Sequence, residues 1–278
     1  MISRAGAFTV GVVVLAASLT MVGLSSAGQE AATAGSKLRW AMARSSLENV
    51  ASADAGQAAR DFDTPSTLIQ NSSPLREDPA PSGWDVASTD RWSSFSQFAA
   101  DVRAGLVPGY VKVVHYDNEA WPETPPSEQR HPGYYQRRFC GLAHSHGWRC
   151  YTGPAQDLCG VLPHPAGETY AECYLDLGLA GKAARHADVI DIQAQALEVR
   201  GARAYGNFVR RAAAQARAAN PEVTVLGNIA ASPTGNHVSP RRMLACARAA
   251  LPYVSGFYTT VNSGDGETMV RFLHLLDA

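Results

Sequence analysis

The chain has 278 residues with 25 acidic and 24 basic side chains, a net charge of −1. That balance, with no run of Lys and Arg, excludes the basic footprint on which nucleic-acid binding depends. Its five cysteines show neither C-x-x-C spacing nor the paired histidines of a zinc helix, which excludes a structural zinc module.

The first segment, residues 1–27, reads as a secretory signal peptide. Arg4 is its charged start, Ala7 to Leu24 are almost all apolar or small, and Ser25-Ser26-Ala27 supplies small residues at the cleavage position. The competing reading is a single membrane anchor. Cleavage implies an extracellular protein with no membrane attachment. Residues 28–63 are rich in Ala, Ser, Gly and Gln and read as a low-complexity leader or linker. Residues 64–278 are long enough for one domain with a sizeable core.

From Thr67 short apolar runs alternate with helical patterns. Strands are expected at 67–71, 110–117, 148–152, 189–193, 223–228 and 254–260. Helices are expected at 93–106, 132–146, 170–185, 204–219, 240–251 and 266–276. In the fourth of these helices Tyr205, Phe208, Val209, Ala212, Ala213 and Ala216 fall on one stripe, and Asn220-Pro221 stops it. Alternation of this kind implies parallel strands with right-handed crossovers. Six units fall short of the eight in a closed barrel. The expected fold is therefore a TIM-type (β/α) barrel, either complete or degenerate and incomplete, with Trp84-Asp-Val-Ala87 and the leader as places where further strands could hide. The alternative is an open doubly wound parallel sheet. No Gly-rich phosphate loop follows any strand, which argues against a nucleotide-binding version.

In a parallel sheet all strands end on one rim. That rim then collects Asn71, Asp117, Glu119, Asp157, Gln193, Gln195, Asn228, Tyr258 and Asn262. Asp191, Gln193 and Gln195 share one face of their strand, and Ile190 and Ile192 share the other. The polar face points into the barrel and the Ile pair against the helices.

The run Tyr110 to Glu119 carries the sharpest signal. Val111, Val113, His115, Asp117 and Glu119 alternate onto one face, so the two carboxylates project together, about 6.6 Å apart along the strand. Glycoside cleavage needs an acid for the leaving oxygen and a second group for the positive charge at the anomeric carbon. A carboxylate beside an ionised carboxylate keeps its proton to higher pH. That assigns Glu119 as acid and Asp117 as partner, unless the pair caps the next loop or binds an Arg. Trp121, on a proline-stiffened loop, is placed to stack on a sugar or to pack over the barrel end. Asp157, Gln193, Gln195, Asn228, Tyr258 and Asn71 would shape the pocket. Glu123 and Glu128 read as solvated. His144 and His146 fall at the opposite end of the sheet and read as structural.

The strand end Asp117-Asn118-Glu119 resembles the catalytic strand of chitinase-like glycosidases with a TIM barrel. The resemblance implies Glu119 as the acid and Asp117 as the residue that orients the substrate's acetamido group. Where that family carries further acids on the same face, this chain has Val113 and His115. The domain also resembles secreted bacterial barrel proteins with a Tyr-Asp-x-Glu-x-Trp stretch and a later Gln-x-Gln, a likeness that implies no mechanism.

Two other readings follow from the same residues. His115, Asp117 and Glu119 form H-x-D-x-E on one face, a ligand set for a divalent metal in a phosphodiesterase-like hydrolase. A barrel that kept the groove and lost the chemistry would be a non-catalytic carbohydrate-binding protein. The leading reading needs no cofactor. Its partner is a carbohydrate or another small polar substrate, and the protein is expected to act as a monomer. A bridge between Cys159 and Cys173 would staple the Pro- and Gly-rich loop between them, and the odd cysteine count leaves at least one thiol over.

Overall fold

A computed structural model describes residues 38–278, so the signal-peptide reading and the first part of the leader lie outside the described residues. Eight strands close into a parallel barrel in chain order. They are β1 (Arg39–Ala43), β2 (Leu68–Asn71), β3 (Ala87–Trp92), β4 (Val113–Tyr116), β5 (Arg149–Thr152), β6 (Val189–Ile192), β7 (Thr224–Ala230) and β8 (Gly256–Thr260). Around them lie α1 (Arg44–Phe62), α2 (Phe95–Arg103), α3 (Pro126–Arg130), α4 (Pro132–Ser145), α5 (Tyr170–Asp176), α6 (Leu179–Ala184), α7 (Ala202–Ala219), α8 (Pro240–Ala250) and α9 (Gly266–Asp277). The fold is a complete TIM barrel, neither degenerate nor an open sheet.

Two strands lie outside the six expected runs, one in the leader, where the sequence allows a further strand, and one beginning at Ala87. β1 and α1 lie inside the supposed linker, so the boundary at residue 64 is corrected: the folded domain already includes Arg39. Trp40 and Met42 face outward into the core, with Trp40 set edge-on to Phe62 at 5.3 Å. On α1, Leu47, Val50, Ala58 and Phe62 are buried. Their spacing is masked by the Ala and Ser between them. β3 starts where Trp84-Asp-Val-Ala87 ends, and its Ser88-Thr-Asp-Arg91 reads as a turn although Trp92 anchors it in the core. The helix expected over 170–185 is broken at Gly178, which takes φ 64°.

Strand alternation sorts the chain into two cores. Outward residues such as Ile69, Val114, Tyr116, Ile190, Ile192 and Phe257 meet the helices, including the full apolar stripe of α7. Inward residues Ala41, Leu68, Val113, Tyr151, Val189 and Leu226 form a separate small cluster that plugs one end of the barrel. The next inward position is polar on four of these strands, at Gln70, His115, Asp191 and Asn228, and Tyr258 of β8 stands level with Asn228. Layered filling is usual for this fold; here the layer toward the C-terminal rim is hydrophilic.

Disulfides join Cys140 to Cys150, tying α4 to β5, and Cys159 to Cys173, as the loop composition implied. Cys246 is free and buried. Among the described residues no helix is long and apolar enough to cross a membrane.

Candidate active site

β4 ends at Tyr116, and the chain continues extended through Asp117, Asn118 and Glu119. Asn118 turns outward, with Nδ2 donating to the Tyr116 hydroxyl at 2.7 Å, which leaves Asp117 and Glu119 on the barrel side. Both line a cavity of about 590 Å³ at the mouth, with Gln70, Arg91, His115, Trp121, Asp191, Gln193, Gln195, Asn228 and Tyr258. Asp117 and Glu119 are hydrogen-bonded to each other.

Arg91, at the end of β3, donates to Asp117 Oδ2 at 2.8 Å and lies over the Trp121 ring at 5.3 Å. The side-chain amide of Gln193 lies 3.2 Å from Glu119 Oε1, 3.4 Å from Asp117 Oδ1 and 2.9 Å from the carbonyl of Gly153. It therefore holds the two acids together from the residue just past β6, two strands further round the barrel. Burial pushes the Glu119 carboxyl up to about 8, with the charges of Asp117 and Asp157 adding to the effect. Burial also raises Asp117, but the bonded guanidinium opposes it. Of the two, Glu119 has no cation bonded to it and is the member that keeps a proton near neutrality.

Beneath the pair, Gln70 donates to the Tyr258 hydroxyl at 2.9 Å and accepts from His115 Nδ1 at 2.8 Å. The imidazole lies flat on Tyr151 at 3.9 Å. Its remaining nitrogen, Nε2, is buried without a protein partner. Asp191 sits beside them, its carboxyl pushed up to about 7 by burial and by Asp117. Gly153 makes room for it: a Cβ there would stand 2.0 Å from Asp191 Oδ1.

The expected rim residues are therefore brought together with exceptions. Asp157 lies beside the mouth, accepting from the Ala120 amide at 3.0 Å, and lines a second cavity of about 570 Å³ with Ala155, Tyr170, Leu197 and Arg200. Glu119, Gln193 and Gln195 line both cavities and form the wall between them. Asn71 is a correction. It faces away from the mouth and donates to Asp90 Oδ1 at 2.7 Å, because in this register Gln70, one residue earlier, takes the inward position. Glu128 is a second correction: it is buried and accepts from the amides of Phe95 and Ser96 at 2.6 and 3.1 Å, capping α2. The metal-ligand set is not assembled. His115 lies a layer below the acids with Nδ1 engaged, and among the described residues no three His, Cys, Asp or Glu side chains converge to hold an ion. Trp84 packs against the core and Trp92 is buried with Nε1 on Asp101. His144 pairs with Asp188 at the opposite end of the barrel, at 2.9 Å.

Arg91 and Gln70 were missed by sequence reasoning. The alternation Ala87, Thr89, Arg91 would have exposed the arginine had β3 been recognised.

No family model matches the chain, and no curated protein matches it. Solved structures share the barrel at low likeness. An active-site mutant of the Rhizomucor miehei β-1,3-glucanosyltransferase bound to laminaritriose is 11% identical, covering 81% of this chain and 88% of that one, with a TM-score of 0.42. A chitinase from Chromobacterium violaceum is 11% identical over 86% of this chain and 98% of that one, at 0.48. The carboxyl transferase domain of Rhizobium etli pyruvate carboxylase is 10% identical over 82% of this chain and 40% of that one, at 0.46. No residue role passes to this chain from any of them.

Proposed function

We propose that the protein is a secreted glycoside hydrolase with Glu119 as general acid and Asp117 as its ionised partner. The observation that carries this reading is the asymmetry of the pair: Asp117 holds the guanidinium of Arg91 at 2.8 Å, while Glu119, with no cation bonded, is pushed up to about 8. Two adjacent carboxyls with opposed environments are how a site keeps one acid protonated beside one base. Glu119 gives its proton to the glycosidic oxygen as the bond to the anomeric carbon breaks, Asp117 faces the positive charge that builds there, and water completes the hydrolysis. The position of Glu119 in the wall between two cavities fits a bond cut at that wall, with one sugar in the barrel mouth and the leaving group beyond it. Trp121 offers a ring face to the sugar's C–H surface. The two disulfides fit an oxidising compartment, which agrees with residues 1–27 being a signal peptide.

The test is hydrolysis of a panel of polysaccharides and aryl glycosides by the mature protein beside Glu119→Gln. Loss of turnover by about 10²–10⁴-fold with glycan binding retained supports the acid role. Unchanged turnover in the variant sinks it. Glycan binding in both forms with hydrolysis in neither replaces the enzyme with a carbohydrate-binding barrel.

A further inference from the structure

Which sugar enters the mouth depends on what the cavity lacks. Asp117, Glu119 and Asp191 line it against one cationic side chain, Arg91, which is already committed to Asp117; with Glu119 holding its proton, Asp191 is the carboxyl left without a counter-charge. His115 adds no positive charge, since burial and the nearby guanidinium hold its pKa well below the usual imidazole range. Below the acids there are acceptors without donors. His115 Nε2 and Asn228 Oδ1 belong to residues only 3% and 4% exposed, have no protein partner, and line the same cavity. The Asn228 amide reaches Asp191 Oδ2 at 3.5 Å and the Tyr151 hydroxyl also bonds that carboxyl, but both partners are neutral, so the acid has no counter-charge.

Three classes of sugar would meet this surface differently. A neutral one supplies hydroxyl donors but leaves the buried carboxylate charge as it was. A uronic acid adds charge of the wrong sign. An ammonium supplies three donors and the missing positive charge in one small group.

We propose that Asp191, Asn228 and His115 form a subsite for the amino group of a cationic amino sugar, so that the preferred glycan is a deacetylated amino-sugar polymer and not a neutral or N-acetylated one. The inference rests on the mouth being a glycan site. It agrees with the behaviour of Asp191 in the free protein, where burial beside Asp117 favours uptake of a proton. The ammonium takes that proton's place.

The experiment is calorimetry on the mature Glu119→Gln protein, so that binding is read without turnover. The probes are a glucosamine oligosaccharide, its fully N-acetylated form, and a neutral and a uronic oligosaccharide of equal length. The expected result is binding of the glucosamine probe about tenfold or more tighter than any other, abolition of that preference by adding Asp191→Asn, and a larger preference on adding Asn228→Asp. Equal or tighter binding of the acetylated or neutral probe overturns the inference, as does a preference that survives Asp191→Asn and is unmoved by Asn228→Asp. The two levels separate cleanly. If the unmutated protein hydrolyses acetylated or neutral glycans and binds them best, the amine subsite fails and the glycosidase stands. If the glucosamine probe is preferred but nothing is hydrolysed, the subsite stands and the enzyme reading fails.

Discussion

The hollow on the side of the barrel between α4 and α6 is larger than the mouth, about 730 Å³ against about 590 Å³. It too is charged, lined by Arg130, Arg137, Lys182 and Arg185 with no carboxylate among its lining residues. All four cations are exposed, so water screens them and no partner is required. In the mouth the charges are buried, and desolvation shows directly in the raised carboxyls of Glu119 and Asp191. The difference teaches that size and charge alone do not mark a site. Charge kept where it is costly, with acceptors left open beside it, is the stronger sign.

The comparison breaks first on Glu119. Glu119→Gln should lower kcat by about 10²–10⁴-fold, while Arg137→Glu in the side hollow should leave kcat within about twofold, as surface substitutions usually do; steady-state kinetics on one substrate decides both. If the side-hollow variant loses activity and the mouth variant does not, the assignment of the site is reversed. Next comes Arg91→Gln, which leaves Asp117 buried without its counter-charge. A loss of about 3 kcal/mol in urea unfolding is expected, at the low end of the range because the guanidinium is 23% exposed. Gly153→Ala should cost about 1–3 kcal/mol, since its methyl would displace the Asp191 carboxylate that packs there.

The last contrast is one of pH. Activity should fall as pH rises through about 8, where Glu119 loses its proton. The same group sets a stability slope. Its folded value lies above the ordinary 4.5, so its contribution is complete below that value and is lost as pH rises toward about 8. Thermal melts should therefore show Glu119→Gln gaining on the unmutated protein across that window, and parallel melting curves would sink the assignment.

Alternation made much of the site legible. Asp191 and Gln193 could be placed inward because Ile190 and Ile192 occupy the opposite face, and the same logic paired Asp117 with Glu119. It failed where a strand carries few apolar residues. β3 offers Ser88-Thr-Asp-Arg91, so its arginine went unseen, and with it the fact that Asp117 is ion-paired. At β2 both Gln70 and Asn71 are polar, and only the register against β1 and β3 decides which faces the mouth. β1 was hidden by its surroundings, since Trp40 and Met42 sit among Ala and Ser that read as linker. Glu128 looked solvated because no local pattern announces that a side chain will cap a helix more than thirty residues earlier.

The pairing of β1 with β8 has a consequence for how the chain comes to be folded. Arg39 lies opposite Gly256, so the first strand's outer edge has no neighbour until the last strand has been made. Before that moment the nascent sheet has two bare edges, β1 and β7, each a row of unpaired amides and carbonyls. Closure of the seam joins the most distant contacts in the sequence, which loop-closure entropy makes slow. A chain cut short before Gly256 would keep both edges open and be prone to stick to copies of itself, even though the strand that carries Asp117 and Glu119 would be intact.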